Sequence, residues 1–128
     1  MAKLHLEIDL KKIERLRQAI KEFPEVLKEE LGQAVLELAL IIQNKAKELC
    51  PVDTGLLRSS INAQVESWAA AYVGTNTEYA PWVEYGTRRT PAQPFLEPAF
   101  EEGHKQADSV FSKAVKRAMA RLERMAGK

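Results

Sequence analysis

The chain opens on a short alternation of apolar and polar positions. Leu4, Leu6 and Ile8 alternate with His5, Glu7 and Asp9. A period of two predicts a half-buried strand. Asp9 is placed to cap a helix. Leu10, Ile13, Leu16, Ile20 and Phe23 then follow at helical spacing, with lysines and glutamates between them. Pro24 interrupts that pattern, because its ring blocks a continuous helix ladder. A second, stronger helix follows, with Val26, Leu27, Leu31, Ala34, Val35, Leu38, Ile41, Ile42, Ala46 and Leu49 in a wide apolar stripe. From Ala34 to Ile42 only Glu37 is polar. Such a helix runs through a core or a subunit interface, and Pro51 ends it.

Pro51-Val52-Asp53-Thr54-Gly55 is a turn by composition. Asp53 or Thr54 can cap a short turn of helix through Leu57. Ile61, Ala63 and Val65 then alternate with Asn62, Gln64 and Glu66, and Ala71 and Val73 flank Tyr72. The short connection between these runs predicts an antiparallel hairpin. Residues 74 to 98 are dense in glycine, threonine, proline and aromatics, and Val83 and Tyr85 fit one helical turn. Gly86 to Gln93, with Arg88, Arg89 and Thr90, reads as a polar loop, mobile in the isolated protein and ordered on assembly. Phe100, Ala107, Val110, Phe111, Ala114, Val115, Ala118, Met119 and Leu122 recur at three-to-four spacing and predict a final helix.

A length of 128 residues sets one domain, 1–128, as the expectation. It comprises a strand and two helices over 1–50, a turn, hairpin and loop region over 51–100, and a C-terminal helix over 96–126. The 45% apolar and 29% charged content is that of a soluble globular protein. A net charge of +1 makes no case for nucleic acid from the chain as a whole. The single cysteine, Cys50, excludes an intramolecular disulfide and reads as a small apolar filler. No signal-peptide core and no 18-residue apolar run are present, so no membrane is expected.

The candidate chemistry is thin. Asp53-Thr54-Gly55 is the triplet of dimeric aspartic proteases, in which two carboxylates share a proton. The competing reading is a helix-to-strand turn in which Gly55 takes a positive φ. Here the triplet follows a helical pattern and a proline, and no glycine-rich flap accompanies it. His5 and His104 lie far apart, and Glu101 at i−3 from His104 is no metal set. Gly74-Thr75-Asn76 lacks the second glycine and the lysine of a phosphate loop. From Lys113 onward there are six basic residues and one acidic one. Lys116, Arg117, Arg121 and Arg124 are either a solvated helix end or a contact for DNA phosphates or an acidic partner. Tyr79, Trp82 and Tyr85 place three aromatics in seven residues, either as local packing or as an interface. No catalytic set and no cofactor set emerges.

Three blocks together resemble one family. Pro51-Val52-Asp53-Thr54-Gly55-x-Leu57-Arg58-x-Ser60-Ile61 resembles its opening signature. Val73-Gly74-Thr75-Asn76-x-x-Tyr79-Ala80-Pro81-x-Val83-Glu84-Tyr85-Gly86-Thr87 resembles its middle. Ala92-Gln93-Pro94-Phe95-Leu96-x-Pro98-Ala99-Phe100 resembles its third block. The family comprises small virion proteins of tailed phages and prophages, from the head–tail joining or tail-completion (siphophage neck) region. Trp82 stands where a plain aromatic such as tyrosine is commoner.

The resemblance implies an α+β fold, a small mostly antiparallel sheet packed by N-terminal helices and a long C-terminal helix. It implies a structural, non-enzymatic protein without a cofactor. The expected partners are head-completion or connector proteins, tail-tube components and further copies of the chain in a ring. The expected location is the neck or tail end of the virion, after assembly in the host cytoplasm. Pro51, Asp53, Thr54, Gly55, Leu57 and Arg58 are expected to form the structural turn. Leu56, Leu57 and Ile61 would plug it into the core, and Phe95, Leu96 and Phe100 would anchor the last helix. Asp53 and Arg58 form a candidate ion pair across the turn. Tyr79, Trp82, Tyr85, Arg88, Arg89, Gln93 and Phe95 are the expected assembly interface.

Overall fold

The computed structural model describes residues 3–7, 21, 24–51 and 55–126. The amphipathic run from Leu10 to Phe23, apart from Lys21, and Val52, Asp53 and Thr54 of the turn lie outside the described residues. Elements follow in the order β1 (Lys3–Glu7), α1 (Pro24–Leu49), α2 (Leu56–Ser60), β2 (Asn62–Ser67), β3 (Ala70–Gly74), α3 (Ala80–Tyr85) and α4 (Leu96–Ala126). The class is α+β, as the sequence predicts.

Pro24 begins α1, where a missing N–H costs nothing. The three strands form an antiparallel sheet in the order β1-β3-β2. Val73 sits between Leu4 and Ala63 in register, and Ala71 between Leu6 and Val65. The predicted hairpin is β2–β3, with an irregularity between Val65 and Ser67. Because side chains alternate along a strand, Ala71 and Val73 are fully buried, while Asn62, Gln64 and Glu66 face solvent. Gln43 on α1 reaches β2, its Oε1 accepting the Ala63 N–H at 2.8 Å.

The stripe on α1 splits into two. Val35, Ala39, Ile42, Ala46 and Cys50 join Leu57, Ile61, Ala71, Val73, Ala80, Phe95, Leu96 and Ala99 in the main core. Leu31, Ala34 and Leu38 pack with Val110 and Ala114 of α4, against half-buried Trp68 and Phe111. The expectation for Ala34–Ile42 is met in part, since Leu36 and Leu40 are 43% and 40% exposed on the outer side. Leu57 and Ile61 enter the core, but Leu56 is 60% exposed. Neighbouring residues on a helix point about 100° apart, and on this five-residue helix Leu57 takes the inward direction while Leu56 takes the outward one.

Helices α1 and α4 run antiparallel, with Gly103 beside Ile42 and Arg117 beside Glu30. A Cβ at Gly103 would lie 2.6 Å from both Cδ1 and Cγ1 of the fully buried Ile42. The helices approach closely because Gly103 has no side chain. Gly103→Ala should therefore destabilise the fold by about 1–2 kcal/mol, despite alanine's better helix propensity. In an Ile42→Ala background the same change should cost little, and a double-mutant cycle by urea denaturation checks this coupling.

Candidate functional site

One end of the molecule collects the turn after α1, the short α3 and the loop leading to α4. Gly55 has φ +77°, the positive value expected of it, and precedes α2. Cys50 is buried, and burial pushes its thiol up against a smaller lowering by Arg58. Its Sγ–H donates to the Pro51 carbonyl at 3.5 Å, so it behaves as the expected apolar filler. Arg58 is exposed. Its suggested partner Asp53 lies outside the described residues.

Three hydroxyls tie the turn to the segment after β3. Ser60 Oγ and Thr75 Oγ1 are 2.5 Å apart, Thr77 Oγ1 donates to Ser60 Oγ at 2.8 Å, and Thr75 Oγ1 donates to Thr77 Oγ1 at 3.0 Å. Ser60 Oγ also donates to the Leu57 carbonyl. Thr75 is buried, so the triangle lets a buried hydroxyl keep its hydrogen bonds.

Pro81 stands in the first turn of α3, where proline suits a helix start. Ala80 and Glu84 lie on the buried face of α3, with half-buried Val83 beside them. The buried carboxylate is not an orphan. Glu84 Oε1 accepts the N–H groups of Phe95 and Leu96 at 3.0 and 2.9 Å, and Oε2 accepts that of Glu97 at 3.1 Å. These are the donors that a helix start leaves without partners. The next residue, Pro98, has no N–H to satisfy. The negative charge also sits at the positive end of α4's dipole. Glu84 was missing from the site residues read from the sequence, although it lies within the second block.

Trp82 and Tyr85, three residues apart on α3, take the opposite face and are 60% and 71% exposed. After them Gly86 turns the chain at φ +81°, ψ 174°. A Cβ there would lie 2.7 Å from the Ala92 nitrogen, so glycine is required twice over. The loop that follows is tied to itself. Thr87 N–H donates to the Thr90 carbonyl at 2.8 Å, and Thr87 Oγ1 accepts the N–H groups of Arg89 and Thr90. Gln93 N–H donates to the Val83 carbonyl at 2.8 Å and closes the base. The loop expected to gain order on assembly thus already carries a hydrogen-bonded turn. Arg88, Arg89 and Gln93 are exposed on it.

Two expected interface residues are placed otherwise. Phe95 is fully buried in the main core, as the anchor of α4 rather than as a surface residue. Tyr79 is half-buried against the core. The basic end of α4 is partly engaged within the chain. Arg117 Nε donates to Glu30 Oε2 at 3.0 Å, and Arg121 Nη1 reaches Glu29 and Glu30 at 2.9 and 3.2 Å. Their charge is offset within the chain, while Lys116 and Arg124 remain exposed. Among the described residues no cluster of histidine, cysteine and carboxylates could hold a metal, and no helix is long and apolar enough to cross a membrane.

The fold and this end define a small α+β scaffold that presents aromatic and cationic side chains outward. Residues 14–86 match the model of the family described as "Bacteriophage HK97-gp10, putative tail-component", and the chain belongs to that family. It is thus a structural protein of the phage-tail class. The match spans the first block and nearly all of the second, and the third block lies beyond it. No curated protein and no solved structure matches the chain.

Glu84→Ala would strand two buried N–H groups and a third beside them. It should cost about 3 kcal/mol in urea denaturation, with amide exchange of residues 95–97 accelerated. Glu84→Gln should recover part of the loss, since its one carbonyl can still accept from Phe95 and Leu96. For Glu30, burial pushes the carboxyl up, but the hydrogen bonds and charges of Arg117 and Arg121 outweigh it and hold it below the ordinary range. The ionised pair therefore stabilises the fold above the unfolded carboxyl's value and is lost as pH falls through the folded one. Glu30→Gln should cost about 1–2 kcal/mol near neutrality. The gap from wild type should narrow steadily on acidification in denaturation curves.

Proposed function

We propose that this protein completes the phage tail or joins it to the head, docking to neighbouring virion proteins and to further copies of itself. The observation that carries the reading is the pair Trp82 and Tyr85, exposed on a helix that Glu84 fixes to α4. Large aromatics held rigidly in solvent lose little freedom on docking, which suits a subunit that must meet its neighbours at set angles. Membership of a phage tail family supports a place in the virion, and we read that place as the neck or tail end. The role is structural rather than enzymatic. A DNA-contacting adaptor is less well supported, because Arg117 and Arg121 are engaged by Glu29 and Glu30.

Particles assembled with the Trp82→Ala/Tyr85→Ala protein should accumulate as separate heads and tails in electron micrographs. The variant's unfolding free energy should stay within about 0.5 kcal/mol of wild type, as for exposed substitutions generally. Normally joined particles, whether with this variant or without the protein altogether, would overturn the reading.

A further inference from the structure

We propose that the end formed by α3 and the 86–93 loop docks on the acidic outer face of α4 in a second copy of this chain. The inference rests on the reading of that end as an assembly surface, and names what the surface meets. Trp82 and Tyr85 supply its exposed apolar area. Arg88 and Arg89 flank them, exposed and in no ion pair among the described residues.

The complement lies on the same chain. Glu97, Glu101 and Asp108 are exposed and recur at spacings of four and seven, which puts them on one side of α4. From Leu96 to Asp108 there are four carboxylates against one lysine. Glu102, the fourth, accepts from Gln106 at 3.0 Å and belongs to the helix's own surface. The stems of glutamate and lysine on such a face give apolar contact for aromatic rings beneath their charged heads.

The aromatic end lies at the start of α4, where Glu84 pins α3. The acidic stripe runs up the side of α4 for about 16 Å, at 1.5 Å per residue. End therefore meets side, between copies. A symmetric end-to-end pairing would set Arg88 and Arg89 against their own counterparts and is opposed by repulsion. The contact therefore sets the end of one copy against the α4 side of another.

The test uses the full-length protein, in size-exclusion chromatography with light scattering over a range of concentrations. Arg88→Glu/Arg89→Glu and Glu97→Lys/Glu101→Lys should each weaken self-association by about a hundredfold or more. Combining all four changes in one chain should restore it, which also shows that the variants fold. Wild type that stays monomeric at every concentration overturns the proposal, as does an arginine variant that associates like wild type or a combined variant that stays dissociated. The broader reading is judged separately by particles carrying Trp82→Ala/Tyr85→Ala. Unjoined particles alongside a failed charge exchange mean that the end meets a different virion protein. Joined particles sink both ideas.

Discussion

A buried carboxylate on a six-residue helix governs the geometry of this protein's exposed end. Desolvating Glu84 is costly unless its oxygens are fully engaged, and the backbone of residues 95–97 engages them. The same N–H groups would otherwise be stranded beside the buried Phe95. Each partner thus removes the penalty of the other, and the dipole of α4 adds to the attraction. The direction of α3 relative to α4 follows from this arrangement. So does the outward direction of Trp82 and Tyr85, since Glu84 can turn inward only if the opposite face of α3 turns out.

The blocks that carry the family resemblance are joined in space by hydrogen bonds rather than merely adjacent. Ser60, from the first block, meets Thr75 and Thr77 in or beside the second. Glu84, from the second, holds Phe95 and Leu96 of the third. Beneath them one apolar cluster collects residues from all the described helices and from β3. The other cluster, around Leu31, Leu38 and Val110, holds α4 along α1 and receives Trp68 from the turn between β2 and β3. The close approach at Gly103 and the Glu30 network fasten the same pair at separate heights.

Periodicity made the strands and helices legible, because burial of one face leaves its mark on every second or every third and fourth residue. It also located α3 and the hairpin. It could not separate Leu56 from Leu57, since a helix of five residues is too short to define a face. Phe95 read both as an anchor of the last helix and as an interface residue, and it is the core anchor. Arg117 and Arg121 read as available charge because Glu30 is 87 and 91 residues away from them in sequence. Glu84 was illegible for a different reason: backbone N–H groups carry no residue-type signature. One clue did exist. The residues before α4, Gln93-Pro94-Phe95, include none of the usual capping side chains, so the cap had to come from elsewhere in the chain.

The loop between α3 and α4 combines a fixed base with a tip whose backbone is tied only to itself. Gly86 and the Gln93–Val83 hydrogen bond set where the chain leaves and returns. Arg88, Arg89 and Pro91 stand in solvent between those points and support nothing beneath them. Such a segment can change its side chains without disturbing the scaffold. The outward charge of this end and the folding of the chain are thereby assigned to different residues.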